Sequence, residues 1–163
     1  MFKRRIFSFG VFAALLLSIV SCPNLPTSSA EASLSGYWIS AFGDGFSISD
    51  SNVYTQYDNA AKDVSFAGDI VKKSDENLVD SEGYIVIEIT NAGTWGKTVG
   101  KFHVIRWKEL TDNKCKQACA AKFVGTNDPA NDTEAVRETI ELAETELTES
   151  DGYFGHYGDY ERR

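Results

Sequence analysis

From Gly36 onward the chain is cut into short stretches rich in Tyr, Phe, Trp, Ile and Val, each closed by Gly, Asp, Asn or Ser. Stretches this short cannot build stable helices. β-branched and aromatic residues between turn formers are what antiparallel strands require. Eight such stretches are predicted as strands, over 36–40, 45–49, 53–57, 64–72, 84–90, 101–107, 114–123 and 153–160. Several alternate with a period of two: Phe46 and Ile48 stand against Ser47 and Ser49, and Ile85, Ile87 and Ile89 against Glu88. One face of each is thereby apolar, as a half-buried strand needs. Asp44-Gly45 joins the first two as a hairpin turn. The fold class that follows is mainly β, an antiparallel eight-stranded barrel or, alternatively, a β-sandwich.

One segment departs from this pattern. Val136, Ile140, Ala143 and Leu147 recur at intervals of four, three and four within 131–150, the spacing of one helical stripe. Asn131 and Asp132 are good caps and Glu134 falls in the first turn. Glu138, Glu141, Glu144 and Glu146 lie between the stripe residues, so one amphipathic acidic helix with a solvated face is expected near the C-terminus.

Few residues are spaced for catalysis. His103 and His156 are the two histidines, and neither has a neighbouring His or Cys at metal-ligand spacing. His103, in KFHVIRW, is expected on a strand facing water or a barrel mouth. Gly96-Lys97-Thr98 in GTWGKTVG ends like a phosphate-binding loop, but Asn91 stands where the motif needs its first glycine and a strand follows instead of a helix. It reads as a hairpin loop. Asp44 and Asp69 adjoin aromatics without forming a marked carboxylate pair. Cys115 and Cys119 on one strand would be roughly 13 Å apart at about 3.3 Å per residue, too far for a disulfide, whereas a helix would bring them close; the strand, with two unpaired thiols, is preferred. The expectation is a non-enzyme without metal or cofactor, a hydrolase being the remote alternative.

The N-terminus carries an address. MFKRR precedes an apolar run from Ile6 to Val20, the layout of a secretory signal peptide and shorter than the about 20 apolar residues of a membrane span. Ile19-Val20-Ser21-Cys22 resembles the bacterial lipobox. That resemblance implies cleavage after Ser21, a diacylglyceryl group on the Cys22 thiol and acylation of the new amine; two or more acyl chains anchor stably where one does not. The expected organisation is a signal peptide over 1–21, a Pro- and Ser-bearing flexible tether over 22–32 and a β domain over 33–163. Loss of 1–21 removes Lys3, Arg4 and Arg5 and no acid, so the formal charge of −8 becomes −11. A domain so acidic repels nucleic acid.

Leu34-Ser35-Gly36-Tyr37-Trp38 resembles the Gly-x-Trp opening of lipocalins and related calycins. In that family the Trp plugs one barrel end and a late Arg packs across it, a role open here to Arg106, Arg162 or Arg163. The family's Thr-Asp-Tyr turn is echoed only by Gly158-Asp159-Tyr160. The chain is similar over more of its length to small spirochaetal, treponemal-type lipoproteins: GYW with GDGFSIS over 36–49, GKFHVIRWKELT over 100–111 and ESDGYFGHY over 149–157. These resemblances imply a lipocalin-like β domain, lipid-anchored in the bacterial cell envelope, at the outer membrane or cell surface in preference to the inner membrane. The strand aromatics fill a small core, or Trp38, Phe46, Tyr54, Phe66, Phe102 and Trp107 wall an interior that takes an apolar ligand. The functional expectation is therefore a membrane-anchored binding module for an apolar small ligand or an extracellular protein. The alternative is a surface adhesin or protein inhibitor acting through its outer face.

Overall fold

The structure is a computed structural model and describes residues 32–163; the expected signal peptide, Cys22 and the expected tether as far as residue 31 lie outside the described residues. Eight strands, β1 (Gly36–Ser40), β2 (Gly45–Ile48), β3 (Val53–Tyr57), β4 (Val64–Lys73), β5 (Gly83–Asn91), β6 (Phe102–Lys108), β7 (Lys114–Cys119) and β8 (Gly158–Arg162), pair antiparallel in chain order. β8 returns to β1, with Trp38 opposite Arg162, and closes the barrel. Closure leaves no free sheet edge. At Gly68, where the β4–β5 register shifts, a side chain would put its Cβ 2.3 Å from the Glu88 carbonyl oxygen, so only glycine lets the strands approach.

The two ends of the barrel differ. At the end where the chain enters, Leu34, Trp38, Leu78, Trp107 and Leu110 form a closed floor, none more than 7% exposed. The Trp38 indole donates to the Leu34 carbonyl at 2.8 Å and Trp107 to that of Asp80 at 3.1 Å. Arg162 supplies the guanidinium that sequence alone left open among three arginines. It lies 4.5 Å from the Trp38 ring and donates to the carbonyls of Ser33, Ser35 and Asp112. Two main-chain segments, the approach to β1 and the β6–β7 turn, are thus tied to one side chain, and Arg162→Ala is expected to cost about 2 kcal/mol, as hydrogen bonds from a charged donor do. Urea unfolding checks this, with the exposed Arg163→Ala expected within about 0.5 kcal/mol of the parent.

From the floor upward the interior is filled. Trp38 stacks on Phe46 at 6.0 Å, Phe46 on Tyr54 at 5.9 Å, and Tyr54 is tilted on Phe66 at 5.9 Å. A second apolar layer lies outside the barrel. Val86, Val104 and Ala118, on the outer faces of β5, β6 and β7, are covered by Ala135, Ala143, Leu147, Tyr153 and Phe154 from the long β7–β8 connection. This explains Ile85-Val86-Ile87 as an unbroken apolar run: it is buried on both faces.

That connection differs from the expected 131–150 helix. Only α1 (Ile140–Glu146) is helical, capped by Thr139, whose hydroxyl accepts from the Leu142 amide at 3.3 Å. Upstream, Arg137 exchanges two 2.9 Å backbone hydrogen bonds with Phe102, and Ala135 has a φ of +46°, so the main chain is extended along β6 rather than coiled. Asp132, expected as a cap, instead accepts from Arg137, Tyr153 and the Ala135 amide. The stripe divides: Ala143 and Leu147 are buried and Ile140 partly buried in the outer layer, while Val136 packs against the barrel's interior cluster. The last strands also shift: β7 stops at Cys119 rather than at 123, and Tyr153 and Phe154 pack on the outer layer while β8 starts at Gly158. Among the described residues no helix is long and apolar enough to cross a membrane.

Candidate functional site

The end opposite the chain's entry is open. A depression of about 660 Å³ lies between the β1–β2 turn, the end of β3, the β5–β6 loop and the start of β8. Its depth is set by a row of polar side chains that continue the inward phase of the strands. On β3 the inward sequence is Tyr54, Gln56, then Asp58; on β7 it is Cys115, Gln117, Cys119. Aromatic filling therefore ends in a polar layer. Gln56 and Gln117 are 3% and 2% exposed, Tyr54 is fully buried beneath them, and all three are joined. The Gln117 amide donates to Tyr54 Oη at 3.0 Å and to Cys119 Sγ at 3.3 Å, while the Tyr54 hydroxyl donates to Gln56 Oε1.

The rim is aromatic and acidic. The β5–β6 loop, the GTWGKTVG segment, is strapped to β4 by Thr94 N to Val64 O and Trp95 N to Ser65 O, both 3.0 Å. Gly93 permits this, with a φ of +54° and a main chain so near Ser65 that no Cβ fits. The strap holds the Trp95 indole against Asp58, Nε1 to Oδ1 at 2.7 Å, where Ser65 and Thr94 also donate. Burial works against the Asp58 charge, but these three donors outweigh it and keep the carboxyl below its ordinary value. Across the opening, Asp44 accepts from Ser40 and from Tyr160 at 2.9 Å. Phe42, in the β1–β2 turn, is 96% exposed, and Trp95 50%.

Behind Trp95 lies a buried charged layer. Lys97 is 2% exposed, donates to the Glu134 carbonyl and sits 5.1 Å from the Phe66 ring; burial pushes its ammonium below the ordinary lysine value. His103 is correspondingly not at a mouth or in water. It is fully buried, edge-on to Phe66 at 5.3 Å, with Nδ1 2.8 Å from the Ala135 carbonyl oxygen. A carbonyl only accepts, so Nδ1 carries the proton and Nε2 is a buried acceptor with no partner. The β7 thiols are unpaired, and burial raises both, Cys115 to about 12.

Of the six aromatics expected to line a ligand chamber, Trp38, Phe46, Tyr54, Phe66 and Trp107 are at most 1% exposed and fill the interior below the opening. Phe102 points outward and packs in the layer under the β7–β8 connection. Of the residues that do line the opening, Gln56, Asp58 and Gln117 carry a signal in the sequence, polar residues in the inward phase at strand ends, whereas Trp95 is placed there by the β5–β6 loop. Among the described residues no group of three His, Cys, Asp or Glu side chains is placed to hold a metal ion. No family model matches the chain, and neither a curated protein nor a solved structure is similar enough to register as a match.

Proposed function

We propose that this chain is an exported binding module, lipid-anchored through Cys22, that takes a small ligand into the open end of its barrel. The observation that carries this reading is the contrast between the ends: a floor sealed by Trp38, Trp107 and Arg162, and an opening of about 660 Å³ with buried amides at its base and aromatics at its rim. Residue 33 enters at the sealed end, so a tether from Cys22 attaches opposite the opening and leaves it free. The polar base refines the ligand expected from sequence. An apolar body would rest against Phe42, Tyr57 and Trp95, and a hydrogen-bonding group would reach the glutamines. The formal charge of −8 supports a partner other than nucleic acid. The exposed Phe42, Trp95 and Val99 at the same end favour the second reading, adhesion to an extracellular protein.

Native mass spectrometry of the protein released from membranes is expected to show a co-purifying small mass that disappears in Trp95→Ala with Gln117→Leu. Identical ligand-free masses for parent and variant would overturn the small-ligand reading. For the anchor, Cys22→Ser is expected to move the protein from the detergent to the aqueous phase on partitioning; unchanged partitioning would overturn lipidation.

A further inference from the structure

We infer that the open end of the barrel selects an organic ammonium ion, an amine carrying an aromatic or short apolar body. This rests on the binding reading above and assigns the chemistry of its ligand. Three carboxylates, Asp44, Asp58 and Asp159, line the opening, and no lysine or arginine does. The nearest buried cation, Lys97, is turned to the Glu134 carbonyl, and the Glu134 carboxylate itself accepts from Thr98.

The base of the opening points the same way. Tyr54 has one hydroxyl proton and gives it to Gln56 Oε1, so Tyr54 Oη must accept from Gln117. The Gln117 amide nitrogen therefore faces inward, with both hydrogens used on Tyr54 and Cys119. Its carbonyl oxygen is left without a partner, on a side chain 98% buried that lines the opening. Acceptors thus outnumber donors among the free positions at this end: Gln117 Oε1, the second lone pairs of Asp44 and Asp58 and the carboxylate of Asp159 stand beside two neutral donors, the Gln56 amide nitrogen and the His156 ring. A primary or secondary ammonium brings two or three donors and a positive charge, whereas a carboxylate or phosphate would bring more acceptors. Aromatic faces complete the match. Trp95 is held with its indole N–H on Asp58, which fixes the ring at the rim, and a cation over such a face gains electrostatic attraction that a neutral isostere lacks.

Isothermal titration of the purified protein with 2-phenylethylammonium, 2-phenylethanol and phenylacetate tests the assignment, since the three share a ring and differ in charge. The ammonium is expected to bind at least about tenfold more tightly than the alcohol, with phenylacetate weakest. Asp159→Asn, on an exposed side chain outside the buried hydrogen-bond network, is expected to fold normally and reduce the preference. Asp58→Asn with Asp44→Asn is expected to abolish it. Equal affinity for all three probes, or a preference unchanged in Asp159→Asn and in the double variant, would overturn ammonium selectivity and leave the opening as a binding site. Absence of binding by all three would also overturn it, and the co-purifying mass then decides separately whether the opening binds anything.

Discussion

Trp38→Ala is expected to remove about 3–5 kcal/mol of stability, the range for deleting a buried aromatic from a well-packed core. Domains of this size are stable by only about 5–15 kcal/mol, so this single change takes the barrel close to unfolding. Three effects combine. The fully buried indole leaves a cavity beneath Phe46, whose ring stacks on it at 6.0 Å. The Leu34 carbonyl loses its 2.8 Å donor inside the floor, and an unsatisfied buried acceptor carries its own cost. Arg162 loses the ring beneath its guanidinium, 4.5 Å away, and with it the support that orders its bonds to Ser33, Ser35 and Asp112. Equilibrium urea unfolding measures the loss as a lower midpoint at unchanged slope. A loss below about 1 kcal/mol would show that the floor does not close the barrel as described.

The second large effect is a dependence on pH set by His103. Burial, and then the nearby Lys97 charge, hold its pKa well below the ordinary 6.5, while the Ala135 carbonyl pulls weakly the other way. In the unfolded chain the imidazole protonates below pH about 6.5; in the folded barrel it stays neutral. The unfolded state therefore binds the extra proton, and stability falls as pH falls, by about 1.4 kcal/mol per unit, until the folded pKa is reached. Carboxylates act in a lower window. Asp58, Asp132 and Glu134 are held below their ordinary values, so their contribution is complete above about pH 4.5 and is lost only as pH falls through their folded values. Urea midpoints at half-unit steps separate the two: His103→Gln is expected to flatten the decline that begins below pH about 6.5 and leave the acid limb intact. Parallel curves for parent and variant would contradict a neutral, buried His103.

Much of this architecture is legible in the sequence because strand and turn chemistry are local. Asp44-Gly45 marks the first hairpin, and the inward phase of Phe46 and Ile48 is written in their alternation with Ser47 and Ser49. What resists reading is set by contacts between distant segments. Nothing local distinguishes Arg162 from Arg106 or Arg163; the choice follows from β8 pairing with β1, which places Arg162 opposite Trp38. The 131–139 stretch has helical caps and spacing, yet Arg137 pairs with Phe102 and so shortens the helix to seven residues. His103 looks like a surface residue until the Ala135 carbonyl and the Phe66 ring enclose it. At the opening, aromatic content points to residues that pack the interior below it. Trp38, Phe46, Tyr54, Phe66 and Trp107 are what the interior is packed with, and the group-bearing positions are the polar residues one step further along the same strand faces, Gln56 and Asp58 after Tyr54, and Gln117 after Cys115.

The central claim, that the end of the barrel opposite the chain's entry is where ligand binds, is tested most directly by side-chain N–H shifts in nitrogen-15 NMR spectra titrated with 2-phenylethylammonium. The three tryptophans divide by position: Trp95 stands half-exposed at the opening, while Trp38 and Trp107 are at most 1% exposed in the floor. The account predicts saturable shifts of the Trp95 indole and of the Gln56 and Gln117 carboxamides, with the Trp38 and Trp107 indoles unmoved. Shifts confined to the Trp38 and Trp107 indoles, or saturable binding with the Trp95, Gln56 and Gln117 signals unmoved, would contradict it.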